Sequence, residues 1–130
     1  MHSSREAECL ENLGQMDCSR IQFTVIVPLY NKADSVSRAL RSVLAQQLLP
    51  TEIIVVDDGS TDESAARVVA LGSPFIRLIS QINSGVSQAR NVGVKAANSD
   101  YIAFLDADDE WASCHLQDVA NLIQAYRSHL

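Results

Sequence analysis

The chain has 130 residues, of which 47% are hydrophobic and 20% charged, with a formal net charge of −6. That length sets one domain as the expectation, and the balance is that of an ordinary globular protein. The acidic charge and the lack of a basic patch argue against nucleic acid as a partner, because a phosphate backbone is gripped by clustered Lys and Arg.

No apolar run is long enough to span a bilayer, and no segment has the pattern of a signal peptide. Cys9, Cys18 and Cys114 are an odd set without metal-type spacing. Free thiols in a reducing compartment are the expectation, with a weak metal or disulfide pair of Cys9 and Cys18 as the alternative. The location expected is cytoplasmic, the inner face of the membrane included.

Residues 1–21 read as a polar leader outside the core, with short helical potential around residues 6–13 that Gly14 breaks. The first strand is expected over residues 23–27, β-branched and apolar as in the middle of a parallel sheet. Pro28 is expected to end it, having no N–H for the ladder. After the loop Leu29-Tyr30-Asn31-Lys32, apolar residues recur at helical spacing from Val36 to Leu48. Asn31 or Asp34 is the expected cap of that helix.

A second strand over residues 52–56 runs into Asp57-Asp58-Gly59-Ser60-Thr61-Asp62. Ser60 and Glu63 have capping-box spacing, so a helix is predicted from about Thr61 to a stop at Gly72. Residues 75–80 make a weaker strand interrupted by Arg77, which suits an edge. Asn83-Ser84-Gly85 is a turn, followed by a helix over residues 86–97. Gly93 is unfavourable inside that helix, and close approach to the sheet would explain it.

Tyr101-Ile102-Ala103-Phe104-Leu105 reads as a strand buried on both faces, followed at once by Asp106, Asp108 and Asp109. Carboxylates crowded at the mouth of an apolar strand repel one another, and a divalent cation with hard oxygen ligands is the natural compensation. A helix N-terminus that favours acids is the plainer alternative. A last helical stripe follows through Leu116, Val119, Ala120 and Ile123.

Strand and helix alternate four times, which predicts an α/β fold: a mostly parallel sheet of about four strands with helices on both faces. Ligands bind such sheets beyond the carboxyl ends of the strands, where the strand order reverses. Tyr30, Asp57, Asp58, Asp106 and Asp108 all fall at that end. An aromatic ring, an acidic pair and a metal-type cluster suit a nucleotide carrying a diphosphate. Asp57 also reads as a turn and cap residue, and Arg90 as a solvated helix charge. No zinc set, glycine-rich phosphate loop or Ser/His/Asp triad is present.

Val25-Ile26-Val27-Pro28-Leu29-Tyr30-Asn31, Val55-Val56-Asp57-Asp58-Gly59-Ser60-Thr61-Asp62, Ala89-Arg90-Asn91-Val92-Gly93 and Phe104-Leu105-Asp106-Ala107-Asp108-Asp109 closely resemble, in order and spacing, the motifs of family 2 glycosyltransferases. The resemblance implies the Rossmann-like, nucleotide-binding half of a GT-A fold over residues 22–130. It implies a nucleoside-diphosphate sugar, most often UDP-linked, with Mg or Mn as cofactor. Pro28 and Tyr30 would line the base pocket, with Tyr30 stacked on the base. Asp58 would bond the base, with Asp57 beside it and Arg90 near the nucleotide. Asp106-Ala107-Asp108 matches the family's DXD motif, Asp106 facing ribose and metal and Asp108 the metal on the diphosphate. Asp109 would support them.

The family transfers sugar by single displacement with inversion, using a base from its acceptor-binding half. That half, the base and the acceptor determinants are expected to be missing from this chain. Self-association through surface the missing half would cover is expected. A receiver domain, an Asp-x-Asp phosphatase and a non-catalytic nucleotide- or metal-binding module are the alternatives. The first two need a catalytic Lys and downstream elements that this sequence lacks.

Overall fold

The structure is a computed structural model that describes residues 20–128. Most of the expected leader, its short helix, Cys9 and Cys18 lie outside the described residues. Ile21, at the end of that leader, is buried in the core. Cys114 is disulfide-bonded, which the free-thiol expectation did not anticipate.

The elements are β1 (Phe23–Leu29), α1 (Val36–Leu44), β2 (Glu52–Asp57), α2 (Ser64–Ala70), β3 (Ile76–Ser80), α3 (Val86–Ala96), β4 (Tyr101–Phe104) and α4 (His115–Arg127). The four strands form one sheet in the order β3-β2-β1-β4, and every pair is parallel. The expected α/β architecture is therefore present. The chain walks outward from β1 to β3, then returns across the sheet to lay β4 on the other side of β1. The gap between the ends of β1 and β4 is the point of reversal.

Side chains on β1 and β2 alternate between two packed faces. Phe23, Val25, Val27, Leu29, Ile53 and Val55 meet Val36, Ala39, Leu40 and Val43 of α1, Val68 of α2, and Leu116 and Ala120 of α4. Ile54 and Val56 meet Ala89 of α3 on the opposite face. Both faces carry helices, three on one and α3 on the other. No helix among the described residues is long and apolar enough to cross a membrane.

Four local expectations are corrected. Pro28 does not end β1; it is paired in register with Val56. Ile26 carbonyl accepts the Leu105 N–H at 3.0 Å, while Leu29 carbonyl accepts the Asp58 N–H at 2.8 Å. Alternate residues of β1 thus turn their polar groups toward β4 and β2. Pro28 turns toward β4, whose pairing has already stopped at Ile26 opposite Phe104. The missing N–H falls where no ladder needs it.

Second, β4 is not buried on both faces. It is an edge strand of the described sheet, its residues are half-buried, and Phe104 is 45% exposed. Third, α1 stops at Leu44 and has Ser35 at its N-cap position, not Asn31 or Asp34. Fourth, α2 begins at Ser64 with no capping box. The Ser60 hydroxyl instead accepts the Asn31 N–H at 2.9 Å. The Gly72 stop, the edge position of β3 and the span of α3 agree with expectation to within a few residues.

Candidate functional site

Three strand ends and the start of α3 surround a cavity of about 450 Å³ at the point of reversal. The end of β1 contributes Pro28, Leu29, Tyr30 and Lys32; β2 contributes Asp58; the loop after β4 contributes Asp106, Ala107 and Asp108. Asn83, Gly85, Val86 and Ala89 form the wall on the side of α3. Of the residues singled out from the sequence, Pro28, Tyr30, Asp58, Asp106 and Asp108 line this one cavity. Arg90 and Asp57 do not line it.

The loop after β1 is laced to the loop after β2. Asn31 takes a positive φ of 51°, and its Oδ1 accepts the Thr61 N–H at 2.8 Å. The N–H of Lys32 donates to Ser64 Oγ at 2.9 Å, and that of Ala33 to Asp62 Oδ2 at 3.2 Å. Asp62 also accepts from the Ser64 hydroxyl, a bond that holds its carboxyl below the ordinary range. These bonds fix the backbone directly after Tyr30, which stays 46% exposed over the cavity.

Asp58 is buried, and its carboxylate has four donors. Ser84 N–H and Gln81 Nε2 donate to Oδ1 at 2.7 and 2.8 Å. Gly85 N–H and Asn83 Nδ2 donate to Oδ2 at 3.0 and 3.3 Å. Burial pushes the carboxyl pKa up, but the bonds from Gln81, Ser84 and Gly85 outweigh it and leave the group more acidic than usual. The Asn83–Gly85 turn is thereby fastened to β2. A Cβ on Gly59 would lie 2.9 Å from the Asn83 nitrogen, so a glycine is required beside this clamp.

Asp57 is also buried, but its Oδ1 accepts the Ser60 N–H at 3.1 Å and it does not line the cavity. The turn-and-cap reading describes it. Asp109 Oδ1 accepts the Glu110 N–H at 2.8 Å, closing its own turn.

The two remaining carboxylates meet cations. Asp108 Oδ2 lies 3.3 Å from Lys32 Nζ, and Asp106 Oδ1 lies 3.6 Å from Arg90 Nη2. The side chains of Asp106 and Asp108 are 62% and 56% exposed, so both are open to a ligand. The Arg90 guanidinium sits 5.7 Å above the centre of the Phe104 ring, and its Nε is buried without a hydrogen-bond partner. Sequence reasoning missed Lys32, Asn83, Val86 and Ala89 as wall residues. Lys32 carried one signal: it is a basic residue in the loop that leaves β1 at the reversal.

No trio of His, Cys, Asp or Glu close enough to hold a metal ion exists among the described residues. The donor set is two open carboxylates. That suits Mg or Mn, which keep waters and take further oxygens from phosphates, and does not suit a closed zinc site.

Comparison with known proteins gives a consistent result. The chain is 44% identical over 91 residues to the uncharacterized glycosyltransferase YibD of Escherichia coli K12, covering 68% of this chain and 26% of that protein. It is 46% identical over 87 residues to the succinoglycan biosynthesis protein ExoO of Rhizobium meliloti, covering 66% and 25%. The chain therefore spans about a quarter of the length of these relatives. Among solved structures, S. aureus TarS 1–349 in complex with UDP-GlcNAc superposes with a TM-score of 0.76 at 32% identity, covering 82% of this chain and 32% of that one. The mannosyltransferase PcManGT of Pyrobaculum calidifontis, in complex with GDP-Man and Mn2+, superposes at 0.69 with 30% identity, covering 80% and 32%. Residues 24–130 match Glycosyl transferase family 2, and with the parallel sheet and the rim described above the chain belongs to that family and has the Rossmann-like architecture of its GT-A fold.

Proposed function

We propose that this chain is the donor-binding part of a glycosyltransferase that takes a nucleoside-diphosphate sugar, UDP-linked in the first instance. The observation that carries the reading is the convergence on one cavity of Tyr30, the turn held by Asp58, and the open carboxylates Asp106 and Asp108. The UDP-GlcNAc bound by TarS and the GDP-Man with Mn2+ bound by PcManGT support the substrate class.

In this reading Tyr30 stacks on the base, and Pro28 and Val86 close the apolar wall around it. Asp58 fixes the Asn83–Gly85 turn so that the wall is formed before the nucleotide arrives. For Asp58 also to accept a base N–H, as the family resemblance implies, one of its four donors must give way, and Asp57 stands behind it in the β2 turn. Arg90, steadied on Phe104, faces the phosphate side of the nucleotide through Asp106. Asp106 and Asp108 would hold Mg or Mn, which when bound neutralises charge on the departing diphosphate. Transfer then follows the family's single displacement with inversion, in which a carboxylate base deprotonates the acceptor hydroxyl.

Family membership sets aside the receiver and phosphatase alternatives. The edge position of β4 among the described strands and the exposed Phe104 ring support self-association of the chain. Light scattering that gives a strict monomer at high concentration would remove that element.

Calorimetry with UDP tests the central reading. Binding is expected with Mn present, to be weakened by EDTA, and to be lost in Asp108→Ala with Mn present. Equal UDP affinity in Mn and in EDTA would overturn the metal role of Asp106 and Asp108. No binding in either would overturn the nucleotide reading itself.

A further inference from the structure

We propose that Lys32 is an exchangeable counter-ion, neutralising Asp108 in the ligand-free site and passing to the diphosphate when a nucleotide binds. The inference rests on the nucleotide-sugar reading of the site.

On the rim each open carboxylate meets one cation, Asp108 with Lys32 and Asp106 with Arg90. The two bases are held differently. Arg90 is pinned: its guanidinium lies over the Phe104 ring and its Nε is buried. Lys32 is fixed only at its root, where its N–H donates to Ser64 Oγ at 2.9 Å. Its side chain is 48% exposed, and its ammonium contacts Asp108 at 3.3 Å. An ion pair so open to water holds weakly and is readily broken.

The lysine stem is flexible and its head is a compact point charge. Lys32 already borders the cavity in which a diphosphate would lie. A diphosphate offers more negative charge than one carboxylate, so the ammonium is drawn from Asp108 to the phosphates without moving the backbone. That move strips Asp108 of its counter-ion at the moment the phosphates arrive. A divalent ion alone meets a carboxylate already neutralised; with nucleotide present it meets a free one. Nucleotide and divalent ion therefore bind with positive coupling, and the coupling is reciprocal.

The test is calorimetry on the 130-residue chain with three probes: UDP in EDTA, uridine in EDTA, and Mn alone. Wild type, Lys32→Met and Lys32→Arg are compared, with circular dichroism to establish that each is folded. Lys32→Met is expected to weaken UDP roughly tenfold, as loss of one charge-assisted contact in a half-open site should. Uridine affinity should not change, Lys32→Arg should restore most of the UDP affinity, and Mn alone should bind Lys32→Met several-fold more tightly.

Unchanged UDP affinity in Lys32→Met, a parallel loss of uridine, or unchanged Mn affinity would each overturn the exchange while leaving the nucleotide reading intact. If wild type binds UDP neither in EDTA nor with Mn, the nucleotide reading fails and the exchange falls with it.

Discussion

Gly93 of α3 rests directly on Ile26 of β1: a Cβ at position 93 would come within 2.5 Å of Ile26 Cγ2 and within 3.1 Å of its Cδ1. Helix α3 can press onto this face of the sheet only because that residue has no side chain. The same approach brings Val86 and Ala89 to the wall of the cavity. Gly93→Ala gains helix propensity but forces Ile26 off its rotamer, and overpacking of this kind costs about 1–3 kcal/mol. Urea denaturation should show a lower midpoint for Gly93→Ala, and the same substitution should cost less in an Ile26→Ala background, where Cγ2 and Cδ1 are both gone. A midpoint unchanged or raised by Gly93→Ala alone would mean that α3 is not seated as described.

Asp58 links stability to pH through the turn it holds. Its folded carboxyl is more acidic than the ordinary value of 3.8. A group whose folded pKa is depressed contributes stability that is complete above the unfolded value and is lost as pH falls through the folded one. The loss from Asp58 therefore lies below about pH 4. Asp58→Asn removes this contribution and sets an amide N–H₂ against backbone donors. The expected cost at neutral pH is about 2 kcal/mol, from a buried hydrogen-bond set left part-satisfied. Denaturation followed from pH 7 to pH 3 should show a shallower acid dependence for Asp58→Asn than for wild type. Parallel curves for the two proteins would deny Asp58 that role.

The frame was legible because a central parallel strand is buried on both sides and reads as an unbroken apolar run, as β1 and β2 do. The same rule misread β4: Tyr101 to Leu105 is as apolar as a central strand, but which strand lies beside which is not written in any local window. Pro28 misled for a related reason, since its lost N–H matters only if a neighbour is there to receive it. Ser60 and Glu63 carry capping-box spacing, yet the Ser60 hydroxyl is taken by Asn31 from another loop. Long-range bonds overrode local propensity at each of these points. The acidic residues of the rim were legible by type and place. Their partners were not, because Lys32 and Arg90 resemble solvated charges until the fold sets them beside Asp108 and Asp106.

The lacing of residues 31–33 to residues 60–64 separates contact from positioning at Tyr30. Tyr30→Ala should weaken UDP by roughly 1–3 kcal/mol, the value of a base stacked on an aromatic ring, with the fold retained. Asp62→Ala removes the acceptor for the N–H groups of Ala33 and Ser64 but leaves the ring in place. It should weaken UDP less than Tyr30→Ala does, and should add little in the double variant, because both act through the same ring. Additive losses, measured by calorimetry, would show that Asp62 acts elsewhere.

Arg90 and Phe104 make a last pair whose value can be measured apart from the ligand. The guanidinium lies over a ring that is 45% exposed on the edge strand, at 5.7 Å from its centre. At so open a site a cation–π contact contributes about 0.5–1 kcal/mol. A double-mutant cycle on Arg90→Ala and Phe104→Ala, read by urea denaturation, should return a coupling of that size. Phe104→Ala leaves the positive charge on Arg90 but loosens its seat, so UDP affinity should fall less than in Arg90→Ala, where the charge itself is gone. If Phe104→Ala lowers UDP affinity as far as Arg90→Ala does, the ring touches the nucleotide directly and is more than a platform for the guanidinium. If neither variant changes UDP affinity, the Arg90–Asp106 pair is a surface contact and Arg90 leaves the site.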